Sequence, residues 1–262
     1  NLLTRWFTAE YSVWFDQLLP GLQSMDVPIP LGGTSNHFVV QNLRQIGGWN
    51  AYNVTEDADL GVRLFVHGWR TAVVDSTTYE EATSRYGNWI RQRSRWVKGY
   101  MQTYLYHMRH PVNLYRHVGW RSFLAFHLFF GANSLILLLN PLYWAMTAAW
   151  YVTYSAGIQA LFPAPILYLG TIALFAGNAI FTVLTVIGCM ERRNYRDVKW
   201  ALCAPVYWLL MSVGAWKALL QLITKPYYWE KTVHGYCLAD REVSAEHPVS
   251  LDGASLIVQE AS

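Results

Sequence analysis

Three long apolar runs in the second half of the chain set the first constraint on its fold. Phe123 to Val152 is almost continuously apolar, about 45 Å if helical, against a bilayer hydrocarbon core of about 30 Å. A second run, Ile166 to Met190, follows Pro163 and Pro165, and a third, Trp200 to Ile223, is interrupted by Pro205, Gly214 and Lys217. Segments 123–152 and 166–190 therefore read as membrane spans, while 200–223 either crosses or lies in the interface. Asn140-Pro141 admits a hairpin in the first run, but each half would be marginally short, which favours one tilted or kinked span. Composition agrees: only 14% of residues are charged, where about 25% is usual in a soluble domain.

Arg192, Arg193, Arg196 and Lys199 closely follow the second run, and such a cluster of bases marks the cytoplasmic side. Two crossings then put the segment before the first span on that same side. Between them and the soluble part, residues 111–122 carry Tyr115, Arg116, His117, Trp120 and Arg121, a mixture that suits a lipid headgroup surface. The membrane region is 123–223. Residues 224–262 read as a cytoplasmic loop that becomes a mobile tail from Tyr236.

Several function classes drop out. A net charge of +3 is too small to imply nucleic acid as a partner. Cys189, Cys203 and Cys237 are too few and too far apart for a disulfide framework or a zinc site, and the first two read as small core residues. The chain opens on Asn1 without a leader or a natural start, so it reads as a fragment.

Residues 1–110 read as the soluble α/β portion. From Leu2 to Leu22 bulky residues recur at three and four, an amphipathic helix expected to end at Pro20-Gly21. Val27 to Phe38 reads as a loop with a short strand, its Gly32-Gly33 either a tight turn or a close approach to ligand. A short helix, Gln41 to Ile46, ends at Gly47-Gly48. Thr55 is a candidate N-cap for a helix whose first turn holds Glu56, Asp57 and Asp59. On a helix, Asp57 and Asp59 diverge by about 200°, so this D-x-D is rejected as a metal site, leaving capping or general-base roles. Trp69 to Val74 alternates as a buried strand.

From about Arg85 to Met108 nothing breaks a helix after Gly87. On it Gln92, Arg95 and Trp96 stand at i, i+3 and i+4, placing an amide, a guanidinium and an indole on one stripe. A fork of donors suits a diphosphate and an indole suits a sugar ring. A basic surface helix with an anchoring Trp is the competing reading of the same stripe.

Taken together, Gly32-Gly33-Thr34, Thr55-Glu56-Asp57, then Gln92-Arg93-Ser94-Arg95-Trp96 as Q-x-x-R-W, followed by spans, resemble bacterial membrane-bound processive glycosyltransferases of family 2, the cellulose-synthase and hyaluronan-synthase-like group. The resemblance covers about residues 28–235. It implies an α/β fold plus transmembrane helices, here the C-terminal half of a GT-A (Rossmann-like) domain followed by a membrane helical region. It implies Asp57 as the base that deprotonates the acceptor hydroxyl. Gln92, Arg95 and Trp96, with Glu56, Gly33 and Thr34, would bind the acceptor and the donor diphosphate.

The same resemblance implies a nucleotide sugar, a UDP-sugar, as donor, a growing glycan as acceptor, and the lipid bilayer as surroundings. It puts the protein in the bacterial inner membrane as a multi-pass enzyme with its catalytic part in the cytoplasm. Mg²⁺ or Mn²⁺ would be bound by a D-x-D outside this chain, so the chain alone would be inactive. An in-plane helix at 200–223 would lead to a gating-loop position at 225–235, although the residues there depart from F-x-V-T-x-K-G. A non-processive transferase to a lipid phosphate and a non-catalytic export or scaffold subunit stand as alternatives.

Overall fold

The computed structural model describes residues 1–154, 156–161 and 164–232. The elements are α1 (Leu2–Val13), α2 (Leu19–Ser24), α3 (Val40–Gln45), α4 (Glu56–Val66), α5 (Tyr86–His107), α6 (Pro111–Phe126), α7 (Asn133–Thr153), α8 (Ala156–Leu161), α9 (Ala164–Ile172), α10 (Asn178–Glu191), α11 (Val198–Ala201) and α12 (Ala204–Thr224). No strand occurs among the described residues, so the expected Rossmann-like sheet is not seen.

The two segments read as strands show why. A strand needs a lateral neighbour to take its backbone N–H and C=O groups. Here Val27 and Ile29 are buried in extended coil against Leu19 and Leu22 of α2. Val73 donates its N–H to the Gln23 side chain, not to a neighbouring backbone, and Val74 is 78% exposed. Alternating sequence without a pairing partner yields coil.

The amphipathic helix at the start does not stop at Pro20. A proline lacks the N–H for the carbonyl four residues back, and its ring would strike that carbonyl. The helix widens into a π-turn at Trp14–Leu18, where the Leu19 N–H reaches back to the Trp14 oxygen, and it continues through Pro20 to Ser24.

The centre of the packing is α5. Val97 and Met101 meet Ala215 and Ala218 of α12 and Leu137 of α7. Trp89 meets Trp6 and Phe7 of α1 and Tyr207 of α12. On another side, Tyr100 and Tyr104 pack against a cluster that joins Ala58 and Val62 of α4 to Leu114, Phe126 and Phe130.

Three stretches are long and apolar enough to cross a membrane: Pro111–Thr153, Tyr168–Glu191 and Ala204–Thr224. The first bends at Gly119, whose φ of 75° is open to glycine and strained for other residues. That bend falls inside the basic aromatic segment, with Tyr115, Arg116 and His117 before it and Trp120 and Arg121 after it. The helix then widens at His127–Ala132 and runs through Pro141 to Thr153 without reversing. Cys189 is buried, as a small core residue should be. Cys203 is not: it stands exposed at the turn before α12, outside any packed face.

Candidate active site

The site is built where the start of α4 is pinned onto α5. Asn53, buried just before α4, donates through Nδ2 to Thr103 Oγ1 at 2.7 Å and accepts the Thr55 N–H at 3.0 Å. The Val54 N–H donates to Gln102 Oε1 at 3.1 Å. Thr55 occupies the N-cap position, but its hydroxyl points to Asn53 and makes no capping bond, so the expected Thr55 side-chain cap is absent. Gly99 lets the two elements close up, since a Cβ there would collide with the Thr55 side chain.

This arrangement fixes Asp57 in the first turn of α4. Its Oδ1 accepts the Ala58 N–H at 2.8 Å. Its Oδ2 lies beside Gly33, where a Cβ would come within 3.2 Å. Burial pushes the Asp57 carboxyl above the ordinary aspartate range; the Ala58 N–H and the more distant charge of Arg95 only partly offset it. A carboxylate shifted this way is a better base near neutral pH.

Asp59 has a different fate. It is fully buried, with Arg63 at 2.9 Å on one oxygen and His107 at 3.2 Å on the other. The two carboxylates thus face different partners, one in the site and one in the packing between α4 and α5. Among the described residues no three His, Cys, Asp or Glu side chains converge in a way that could hold a metal ion.

Of the Q-x-x-R-W residues, Gln92 is buried and accepts the Thr83 hydroxyl through Oε1 at 2.9 Å. Trp96 rests against Phe7 and Tyr11 of α1, with ring centroids 6.4 and 6.3 Å away. Arg95 makes no hydrogen bond among the described residues, and its Nε is buried without a partner. Its guanidinium lies 5.0 Å from the centre of the Trp229 ring. Burial depresses its pKa, while the charges of Asp57 and then Glu56 act the other way. Gly33, Glu56, Asp57 and Arg95 are therefore neighbours. Thr34 stands at the exposed rim, donating to Glu80 at 2.8 Å.

Sequence reasoning passed over four contributors. Tyr11 packs its ring 6.3 Å from that of Trp96, and burial pushes its hydroxyl pKa up, partly offset by the charges of Arg93 and Arg95. Arg93, an unassigned position inside Q-x-x-R-W, is buried and paired with Glu10. Trp229 and Glu230 belong to the strip after α12, which lies over α5. The Lys98 amine donates to the Tyr228 carbonyl at 2.5 Å and Gln102 to the Pro226 carbonyl at 2.9 Å. Glu230 accepts from Lys217 at 2.7 Å, Gln221 at 2.9 Å and Ser94 at 3.3 Å. Burial alone would raise the Glu230 pKa, but these bonds hold it below the usual range. The available signal was the dense aromatic run Tyr227-Tyr228-Trp229. The rest of the loop and tail, Val233 to Ser262, lies outside the described residues.

With this geometry in place, comparison with known proteins is informative. The sequence pattern of the family described as glycosyl transferase family group 2 matches residues 1–220. The chain belongs to this family. A beta-monoglucosyldiacylglycerol synthase of Synechocystis sp. is 33% identical over 94 residues, 35% of this chain and 19% of that protein. A probable glucomannan 4-beta-mannosyltransferase of Arabidopsis thaliana is 31% identical over 85 residues, 32% of this chain and 13% of that protein. The matched stretch thus spans about a fifth or less of these relatives. No solved structure matches the chain.

Proposed function

We propose that the full-length protein transfers a sugar, with inversion, from a nucleotide diphosphate donor to an acceptor hydroxyl at the cytoplasmic face of the bacterial inner membrane. The observation that carries this reading is Asp57, a carboxylate of raised pKa beside an arginine that has no hydrogen-bond partner among the described residues. Asp57 takes the proton from the acceptor hydroxyl. That oxygen attacks the anomeric carbon from the face opposite the diphosphate, and the bond to the diphosphate breaks with its electrons. Arg95 offers its fork of donors to the leaving oxygens, none of those donors being taken by a hydrogen bond to a described residue. Trp96 stacks on the acceptor ring. Gln92, Glu56, Gly33 and Thr34 line the acceptor and diphosphate site around these groups. A divalent metal, Mg²⁺ or Mn²⁺, belongs with residues outside this chain.

We take the donor to be a UDP-sugar and the acceptor to be a growing polysaccharide, as the Q-x-x-R-W arrangement suggests. The helix α12 runs beside α5 from Tyr207, near Trp89, to Ala218, near Met101, and α5 buries Arg93 and Lys98. A helix flanked so far by a charged neighbour suits a position in the membrane interface, with the strip 225–232 returning over the site. The diacylglycerol synthase relatives support a second acceptor class, a membrane lipid. Products soluble in chloroform would favour the lipid; a size ladder of water-soluble glycan favours the polymer. Asp57→Asn keeps the size of the side chain and removes the base, so incorporation of radiolabelled sugar by the full-length protein should fall by about two to four orders of magnitude. Unchanged turnover would remove Asp57 from the mechanism.

A further inference from the structure

Arg93 is only 2% exposed, an uncommon place for a guanidinium. Glu10 of α1 holds it bidentately, with Oε1 on Nη1 at 2.7 Å and Oε2 on Nη2 at 2.6 Å. Tyr207 of α12 accepts from Nη2 at 3.0 Å, accepts from Trp89 Nε1 at 3.3 Å, and donates its own proton to Glu10 Oε2 at 2.7 Å. The planar cation lies 4.6 Å from the centre of the Trp96 ring and 4.7 Å from that of Phe7. A buried ion pair seldom stabilises a fold more than apolar side chains of equal volume would. What it supplies here is direction: three helices converge on one guanidinium, and that guanidinium lies against the indole of the site.

We propose that Arg93, oriented by Glu10 and Tyr207, is the positioning residue of the acceptor platform, fixing the attitude of the Trp96 indole and tying it to α12. The inference rests on the reading of Trp96 as the surface on which the acceptor sugar stacks. Arg93 itself touches no substrate. Because Tyr207 lies on an apolar helix and Glu10 on the amphipathic first helix, a shift of either at the membrane surface is transmitted to the ring.

The test uses the full-length protein labelled with 5-fluorotryptophan, the Trp96 resonance being assigned by its loss in Trp96→Phe. Removing both charges together, in Glu10→Gln/Arg93→Met, avoids leaving one of them buried alone, so the variant folds. The expected result is one sharp Trp96 resonance in the parent, a split or broadened one in the double variant, and an intermediate one in Tyr207→Phe, with Trp69 unchanged as a remote control. Incorporation from radiolabelled UDP-glucose and GDP-mannose should fall about ten-fold in the double variant, the scale of one aromatic contact, and to the same degree in Trp96→Ala. An unchanged Trp96 resonance in the double variant overturns the positioning role, whatever the rates do. A split resonance with full incorporation by Trp96→Ala instead overturns the platform reading, and the inference falls with it.

Discussion

Arg93 and Arg95 stand two residues apart on α5 and live in opposite circumstances. Arg93 faces α1 and α12, where Glu10 and Tyr207 occupy its fork and only Nε is left over. Arg95 faces α4 and the strip after α12, where a ring covers it and no described residue takes its hydrogens. The first arrangement is complete without a ligand. The second has no hydrogen-bond partner for its fork among the described residues, which leaves that fork open to a ligand. The contrast separates the side of α5 that supports from the side that reacts, and each variant below should damage one side more than the other.

The largest effect is expected from Asp57→Asn on the reacting side. Transfer should collapse, while the unfolding midpoint stays or rises. The sign follows from the raised pKa: an ionised Asp57 disfavours the fold above its ordinary titration range, so replacing it with a neutral isostere removes that burden. A lower midpoint would blur the division between the two sides. Arg93→Met should act first on stability, costing about 2–3 kcal/mol, at or below the low end for a broken buried pair because Glu10 retains some solvent, and should lower transfer only about ten-fold through the displaced Trp96 ring. Chemical denaturation in detergent checks this, with Glu10→Gln restoring most of the loss.

Arg95→Met should lower transfer by about ten- to a hundred-fold, the range for losing a hydrogen bond to a charged group. The acid limb of its pH profile should also move upward, since Arg95 is among the groups that lower the Asp57 pKa. A limb that stays in place would uncouple the two residues. Gly99→Ala tests the joint between the sides. Overpacking Thr55 should cost about 1–3 kcal/mol, read as a lower thermal midpoint.

The smallest effect concerns the strip. Glu230 has a folded pKa below its ordinary value, so its contribution is present above the unfolded pKa of about 4.3 and is lost as pH falls through the folded one. Trp229 fluorescence should report loosening of the strip below about pH 4, and Glu230→Gln should abolish that step.

Helix periodicity and chain length carried most of what could be read beforehand. The unbroken run from Arg85 to Met108 became α5, and the divergence of Asp57 from Asp59 follows from helical geometry alone. The strands failed because alternation records a half-buried face without specifying a neighbour, and Val73 found a glutamine side chain. Arg93, Glu10 and Tyr207 were not legible as a set. They are separated by 83 and 114 residues, and only tertiary packing brings them together. Trp229 was hidden for the same reason, since interfacial aromatics and ligand-site aromatics look alike in sequence.

The widened turn at His127–Ala132 closes its hydrogen-bonded rings around one residue more than an α-turn holds. Straightening it to a plain helix with every residue kept would swing Leu137 by about 100°, away from its packing with Ala215 and Ala218, whereas loss of one residue there would leave Leu137 on its present face. Along the exposed apolar part of α7 a single insertion or deletion only exchanges one apolar side chain for another. At this turn a single deletion is absorbed without turning the face that meets α5 and α12, so loss of one residue among family members should be tolerated here and beyond Leu137, and avoided between the two.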